Sequence, residues 1–184
     1  MFELVTKLLL HGQMKFEKGR IELLGDNITI LPADTIVEIQ KLLEQQAQEH
    51  LIYRGARVAG KNWFSKMHKE FTLKSTDVFQ WGPDLISLAG WGEVIVIKRD
   101  DATKTIVGRL MNSINSKLYG PSKKPVDHVF RGLFCGAMSF IFGADLEAVE
   151  VKCQAVGDAF CEFVVKPKKD FDFSNQLVVE QLRD

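Results

Sequence analysis

Two cysteines flank a turn near the C-terminus. Cys153 and Cys161 lie four residues on either side of Gly157. In a regular antiparallel hairpin centred there they would face each other, with Cβ atoms about 4.5–5.5 Å apart. That spacing suits two thiolates on one tetrahedral ion and nearly suits a disulfide. Glu150, three residues before Cys153, offers a carboxylate as a third ligand. In a flat strand Glu150 and Cys153 point to opposite faces. A shared site therefore demands an irregular strand, a bulge near Val151-Lys152. Gly132, Gly136 and Gly143, with Ser139 nearby, precede this segment. A glycine inside a helix costs about 1 kcal/mol relative to alanine, and close packing against a neighbouring element is the simplest offset.

These residues must be placed by the elements around them. Val126, Val129, Phe130, Leu133, Ala137, Phe140 and Ile141 recur at helical spacing, so 126–142 reads as an amphipathic helix. Residues 146–155 and 159–166 then read as a hairpin around Val156-Gly157-Asp158. Upstream, 93–98 and 103–112 read as paired strands joined by a turn at Asp100-Asp101, and 118–125 as a loop. Pro32 and Asp34 start a helix whose apolar positions Ile36, Ile39, Leu43, Ala47 and Leu51 carry it toward Gly55. A second helix covers 56–71. A third covers 76–88, with Gly82-Pro83 as a break. The N-terminal segment reads as a helix over 2–10, with Val5, Leu8 and Leu9 on one side, then three short strands (13–16, 20–24, 27–31). A tail helix begins near Asn175. The organisation expected is an α+β fold, with a unit at 1–31, a main domain at 32–168 and a tail at 169–184.

Composition excludes several classes. The chain has 184 residues, 46% hydrophobic, with 24 basic and 24 acidic side chains. That is enough to bury one core without disulfide staples. A zero balance argues against nucleic-acid binding, which needs a basic face, and it removes one barrier to self-association. No apolar run reaches the length of a membrane span, and the first ten residues make a poor signal peptide. The expectation is a cytoplasmic protein whose three cysteines are thiols or ligands.

The Gly-rich helix, Gly143, Glu150-x-x-Cys153, Gly157-Asp158 and Cys161-x-Phe163 together resemble the 4-vinyl reductase domain, over about a fifth of the chain. That resemblance implies a fold of antiparallel sheet with packed helices, similar to the Bet3-like tethering subunits. In phenol-sensing members a structural zinc is held by three cysteines and a glutamate. Glu150, Cys153 and Cys161 match three of these, and the first cysteine falls at Asp127, beside His128. Asp127 or His128 would complete the set, or the site is degenerate. Cys135 lies about 12 Å further along the helix axis and is not a simple replacement. His11, His50 and His68 are scattered. The resemblance also implies a buried cavity for a small aromatic compound in the central region, with Trp63, Phe79, Trp81 and Trp91 as wall candidates, and a homodimer.

Three readings follow. The first is a module that binds a small apolar or aromatic ligand, with a structural Zn2+. The second is a reductase, for which no dinucleotide fingerprint, phosphate loop or cluster-binding cysteine set is present. The third is a structural adaptor of the Bet3-like type. A solid core would favour the adaptor, and a cavity the binding module.

Overall fold

The computed structural model describes residues 2–71 and 75–182, and a few helix side chains, Trp81 among them, lie outside the description. The chain begins with α1 (Phe2–Leu10) and an antiparallel meander of β1 (Met14–Glu17), β2 (Arg20–Leu23) and β3 (Asp26–Ile28). Helices α2 (Ala33–Gln45), α3 (His50–Phe71) and α4 (Ser75–Leu88) follow. Then come the hairpin β4 (Glu93–Asp100) and β5 (Thr105–Met111), the short α5 (Ile114–Tyr119), α6 (His128–Ile141), β6 (Glu147–Lys152), β7 (Cys161–Lys166) and α7 (Gln176–Gln181). The second sheet is antiparallel in the order β4-β5-β7-β6. Antiparallel sheet with packed helices is the architecture expected.

Alternation builds this sheet. Ile106, Gly108 and Leu110 on β5 point to the core, and Val165, Phe163 and Cys161 lie opposite them on β7. Gly108 leaves room for the Phe134 ring, whose tip would stand 2.9 Å from an added Cβ. Helix α6 lies between this sheet and α3. Gly132 and Gly136 face α3, and Gly60 faces back. A Cβ on Gly132 would stand 2.5 Å from the Tyr53 carbonyl oxygen, and one on Gly136 would fall against the Arg57 carbonyl. The partner that offsets the helical glycines is therefore another helix. Leu8, Leu23 and Leu24 of the N-terminal unit close a second cluster with Met67 of α3 and Leu85 of α4, while Leu9 of α1 is exposed.

Three elements depart from the sequence reading. The first long helix stops at Gln45, and Ala47 takes a left-handed φ of 55°. A new helix starts at His50 and runs through Gly55 without a break. The apolar spacing from Leu43 to Leu51 bridges this corner, which is why periodicity alone joined the two helices. Pro83 sits inside α4 and does not end it. Helix α5 lies where no element was read. Ser113 caps it by accepting a hydrogen bond from the Ser116 N–H at 3.1 Å. Its six residues are too few to show a period.

The glycine contacts set a contrast between two substitutions. Gly136→Ala should lower the melting temperature by roughly 2–10 °C, since overpacking costs about 1–3 kcal/mol and each kcal/mol is worth about 2–4 °C in a domain of this size. Gly55→Ala meets nothing within 4 Å and should raise stability by up to about 1 kcal/mol. Thermal melts followed by circular dichroism would check both, and equal effects would contradict the close helix contact.

Candidate metal centre and apolar pocket

Four elements converge below the start of α6. The strand β6 carries a register shift between Glu150 and Lys152, the irregularity that a shared site demands. A short 3-10 turn, Gln154–Val156, follows Cys153 in place of a two-residue hairpin, and Gly157 closes it at a left-handed φ of 108°. Cys161 opens β7. Asp127 sits at the N-cap position of α6. One ligand atom from each of Asp127, Glu150, Cys153 and Cys161 lies within 4.8 Å of all the others, and all four residues are buried. His128 points elsewhere: its Nε2 stands 3.7 Å from Glu44 Oε1. Burial pushes the His128 pKa down, with Glu44 opposing. Cys135 is also remote from the cluster, with its Sγ 3.2 Å from the Leu146 carbonyl oxygen.

A hydrogen-bonded shell orients the cluster. Ser113 Oγ donates to Asp127 Oδ1 at 2.8 Å, and Ser116 Oγ to Asp127 Oδ2 at 3.0 Å. Ser116 Oγ also stands 3.5 Å from Cys153 Sγ and 3.4 Å from Cys161 Sγ. The Gln154 N–H donates to Cys161 Sγ at 3.3 Å, and the Asp127 N–H to Glu150 Oε2 at 3.0 Å. Glu150 Oε1 is buried with no partner. Ser113 and Ser116 were missed from sequence. The signal available was a polar N-cap residue, Ser113, ahead of Ile114.

The electrostatics favour a cation. Burial, the Asp127 charge and Cys153 hold the Glu150 pKa well above the usual carboxylate range. The hydrogen bond from Cys161, then that from Ser116, draw Cys153 down to about 6 against the effect of burial, and Cys161, which supplies the proton, is pushed up. The bare cluster thus keeps two protons that a bound cation would displace. Two carboxylates and two thiolates, with one orphaned buried oxygen, fit a zinc-type donor set.

The same four-residue region is tied to the rest of the chain by buried polar links. Gln181 of α7 accepts from the Glu150 N–H at 2.8 Å and donates to the Glu150 carbonyl at 2.8 Å. Arg131, 2% exposed, donates to Gln181 Oε1 at 2.7 Å and to the Ala148 carbonyl at 3.3 Å. Its guanidinium lies 4.0 Å over the Tyr53 ring. The Tyr53 hydroxyl accepts from the Ala148 N–H at 3.1 Å and donates to Glu147.

A separate cavity of about 100 Å³ lies between α3, α4, β4 and α6. Trp63, Phe79 and Trp91 line it; the Trp81 side chain is outside the description. The guanidinium of Arg99 stands 4.1 Å over the Phe79 ring. Phe130, Leu133, Phe134, Ala137 and Met138 of α6 form a wall that sequence reading assigned to plain core. A helix buried on most sides hides such a wall, because every apolar residue on it reads alike. No described helix is long and apolar enough to cross a membrane.

Residues 107–167 match the family model of the 4-vinyl reductase domain. The phenol regulator MopR of Acinetobacter guillouiae is 21% identical over 176 residues, which cover 91% of this chain and 31% of that protein. The chain thus spans about a third of the length of that curated relative. Among solved structures, the phenol-responsive sensory domain of the transcription activator PoxR, with phenol, aligns with a TM-score of 0.74 at 18% identity, over 96% of this chain and 95% of that one. A vinyl-4-reductase family protein from Methanocaldococcus jannaschii aligns at 0.54 and 16% identity, over 76% and 83% of the two chains. A trafficking protein particle complex subunit 3 from Naegleria fowleri, covalently bound to palmitic acid, aligns at 0.51 and 12% identity, over 73% and 93%. These likenesses establish a shared fold, and the family resemblance read around Glu150 and Cys161 holds.

All three cysteines are buried and free. A thiol reagent should therefore leave them unmodified in the native protein and titrate three after denaturation. Fast labelling of a native thiol would show that the cluster or the α6 core opens readily.

Proposed function

We propose that this chain, with its 4-vinyl reductase type of fold, is a sensory module that binds a small aromatic compound in the α3–α4–α6 cavity. The observation that carries the reading is the cavity itself, apolar and walled by aromatic rings, in a fold shared with a phenol-responsive sensory domain. Ligand sites are concave and mostly apolar. The proposed site residues are Trp63, Phe79, Trp81 and Trp91. Trp63 and Trp91 make intrinsic fluorescence a direct readout. Adding a single-ring aromatic compound should change it, and Ala137→Leu, which fills the cavity from α6, should abolish the change.

A structural metal, zinc by its donor set, belongs to this reading. Asp127, Glu150, Cys153 and Cys161 would fill all four positions, and a closed site is structural, whereas a catalytic one keeps a position open. The ion would tie the β6–β7 turn to the start of α6 and add its binding free energy to folding. In this reading His128 holds no ligand position. The module would act in the cytoplasm and as a homodimer, which the zero net charge permits.

Cys153→Ser and Cys161→Ser should each remove the metal and lower the melting temperature by roughly 10 °C at saturating zinc. Cys135→Ser should retain the metal. Elemental analysis beside calorimetry separates these outcomes, and zinc-free wild-type protein purified without chelator would end the metal assignment. Light scattering at micromolar concentration should give about twice the 20.8 kDa chain mass. A monomer would remove the dimer from the reading. The likeness to the tethering subunit favours a structural adaptor as the second reading, which a cavity that takes no aromatic compound would support.

A further inference from the structure

The cavity wall has a chemistry that a phenolic hydroxyl does not match. Trp63, Phe64, Phe79, Trp91, Phe134 and Met138 form it, with aliphatic and small residues between them. Among the described lining side chains, hydrogen bonding is limited to the two indole N–H groups, which only donate, and the Met138 thioether, a weak acceptor. A hydroxyl that enters gives up water on both of its functions. An indole satisfies its oxygen at best, and its proton faces carbon or sulfur. The cavity volume of about 100 Å³ is near that of an apolar cavity of about 150 Å³ that stays dry and takes benzene, so one ring fits and a fused pair does not.

We propose that the cavity selects a single aromatic hydrocarbon ring, bare or with a short alkyl group, over the hydroxylated ring of the same size. This rests on the reading of the cavity as an aromatic-ligand site. Burying a polar group without a partner is unfavourable, yet an apolar pocket rejects a hydroxyl isostere by only about 100-fold. Toluene and phenol are the fitting pair, because they differ by a methyl and a hydroxyl on one ring. Toluene should bind roughly 10- to 100-fold more tightly.

The test is titration of the 184-residue chain with toluene and with phenol, read by tryptophan fluorescence and by calorimetry. A toluene preference in that range supports the proposal. Met138→Gln, which sets an amide acceptor of similar length in the wall, should narrow the ratio at least several-fold. Because both ligands are read on one variant, a general loss of stability does not mimic that change. Phenol binding as tightly as toluene in the unaltered chain overturns the selectivity while the aromatic site stands. Failure of both compounds to bind overturns the aromatic site as well. Tight binding of naphthalene would overturn the single-ring limit.

Discussion

Helix α6 can lie against α3 only because Gly60, Gly132 and Gly136 carry no side chains. This contact sets the position of everything with chemical interest. The first residue of α6 follows Asp127, so the depth of the helix fixes where one carboxylate meets Glu150 and the two cysteines. Further along, Phe130, Phe134 and Met138 turn toward the cavity from the same rigid element. A small shift of α6 would therefore alter both places at once, since a packed interior transmits displacement rather than absorbing it. The cluster and the cavity are separate in chemistry and joined by one helix.

The extent to which the sequence disclosed this arrangement follows from how local each feature is. Glu150, Cys153 and Cys161 were legible because their types are chemically specific and their spacing crosses a single turn. The bulge beside Lys152 was legible as a requirement, since strand alternation forbids the site without it. Asp127 came through a family resemblance, and only the fold shows that His128, one step further around the helix, turns to Glu44 instead. Ser113 and Ser116 were hidden by a six-residue helix. The break at Ala47 was hidden too, because a left-handed alanine carries no sequence mark. The α6 side of the cavity was unreadable for a different reason: a pocket is a property of what fails to meet, and composition does not report it.

The electrostatics of the cluster explain why its parts belong together. Two carboxylates and two thiols in one buried space repel when ionised, and the bare state resolves this by keeping protons on Glu150 and Cys161. Ser113, Ser116 and the Gln154 amide can donate but supply no positive charge. Arg131, the nearest buried cation along α6, is committed to Ala148, Gln181 and the Tyr53 ring. The compensation that the cluster lacks within the described chain is thus a cation from outside it.

The border of the sheet at β6 shows a further effect of those commitments. An edge strand normally presents a row of unpaired N–H and C=O groups, a template on which a foreign strand can assemble. Here the outward N–H of Ala148 is taken by the Tyr53 hydroxyl and its C=O by Arg131. Both main-chain groups of Glu150 are taken by the one Gln181 amide, which stands in for the peptide of a neighbouring strand. Four successive ladder positions are saturated by side chains from three different helices. Along that stretch the sheet is sealed against growth by strand addition, with no covering strand and no charged gatekeeper on the border itself.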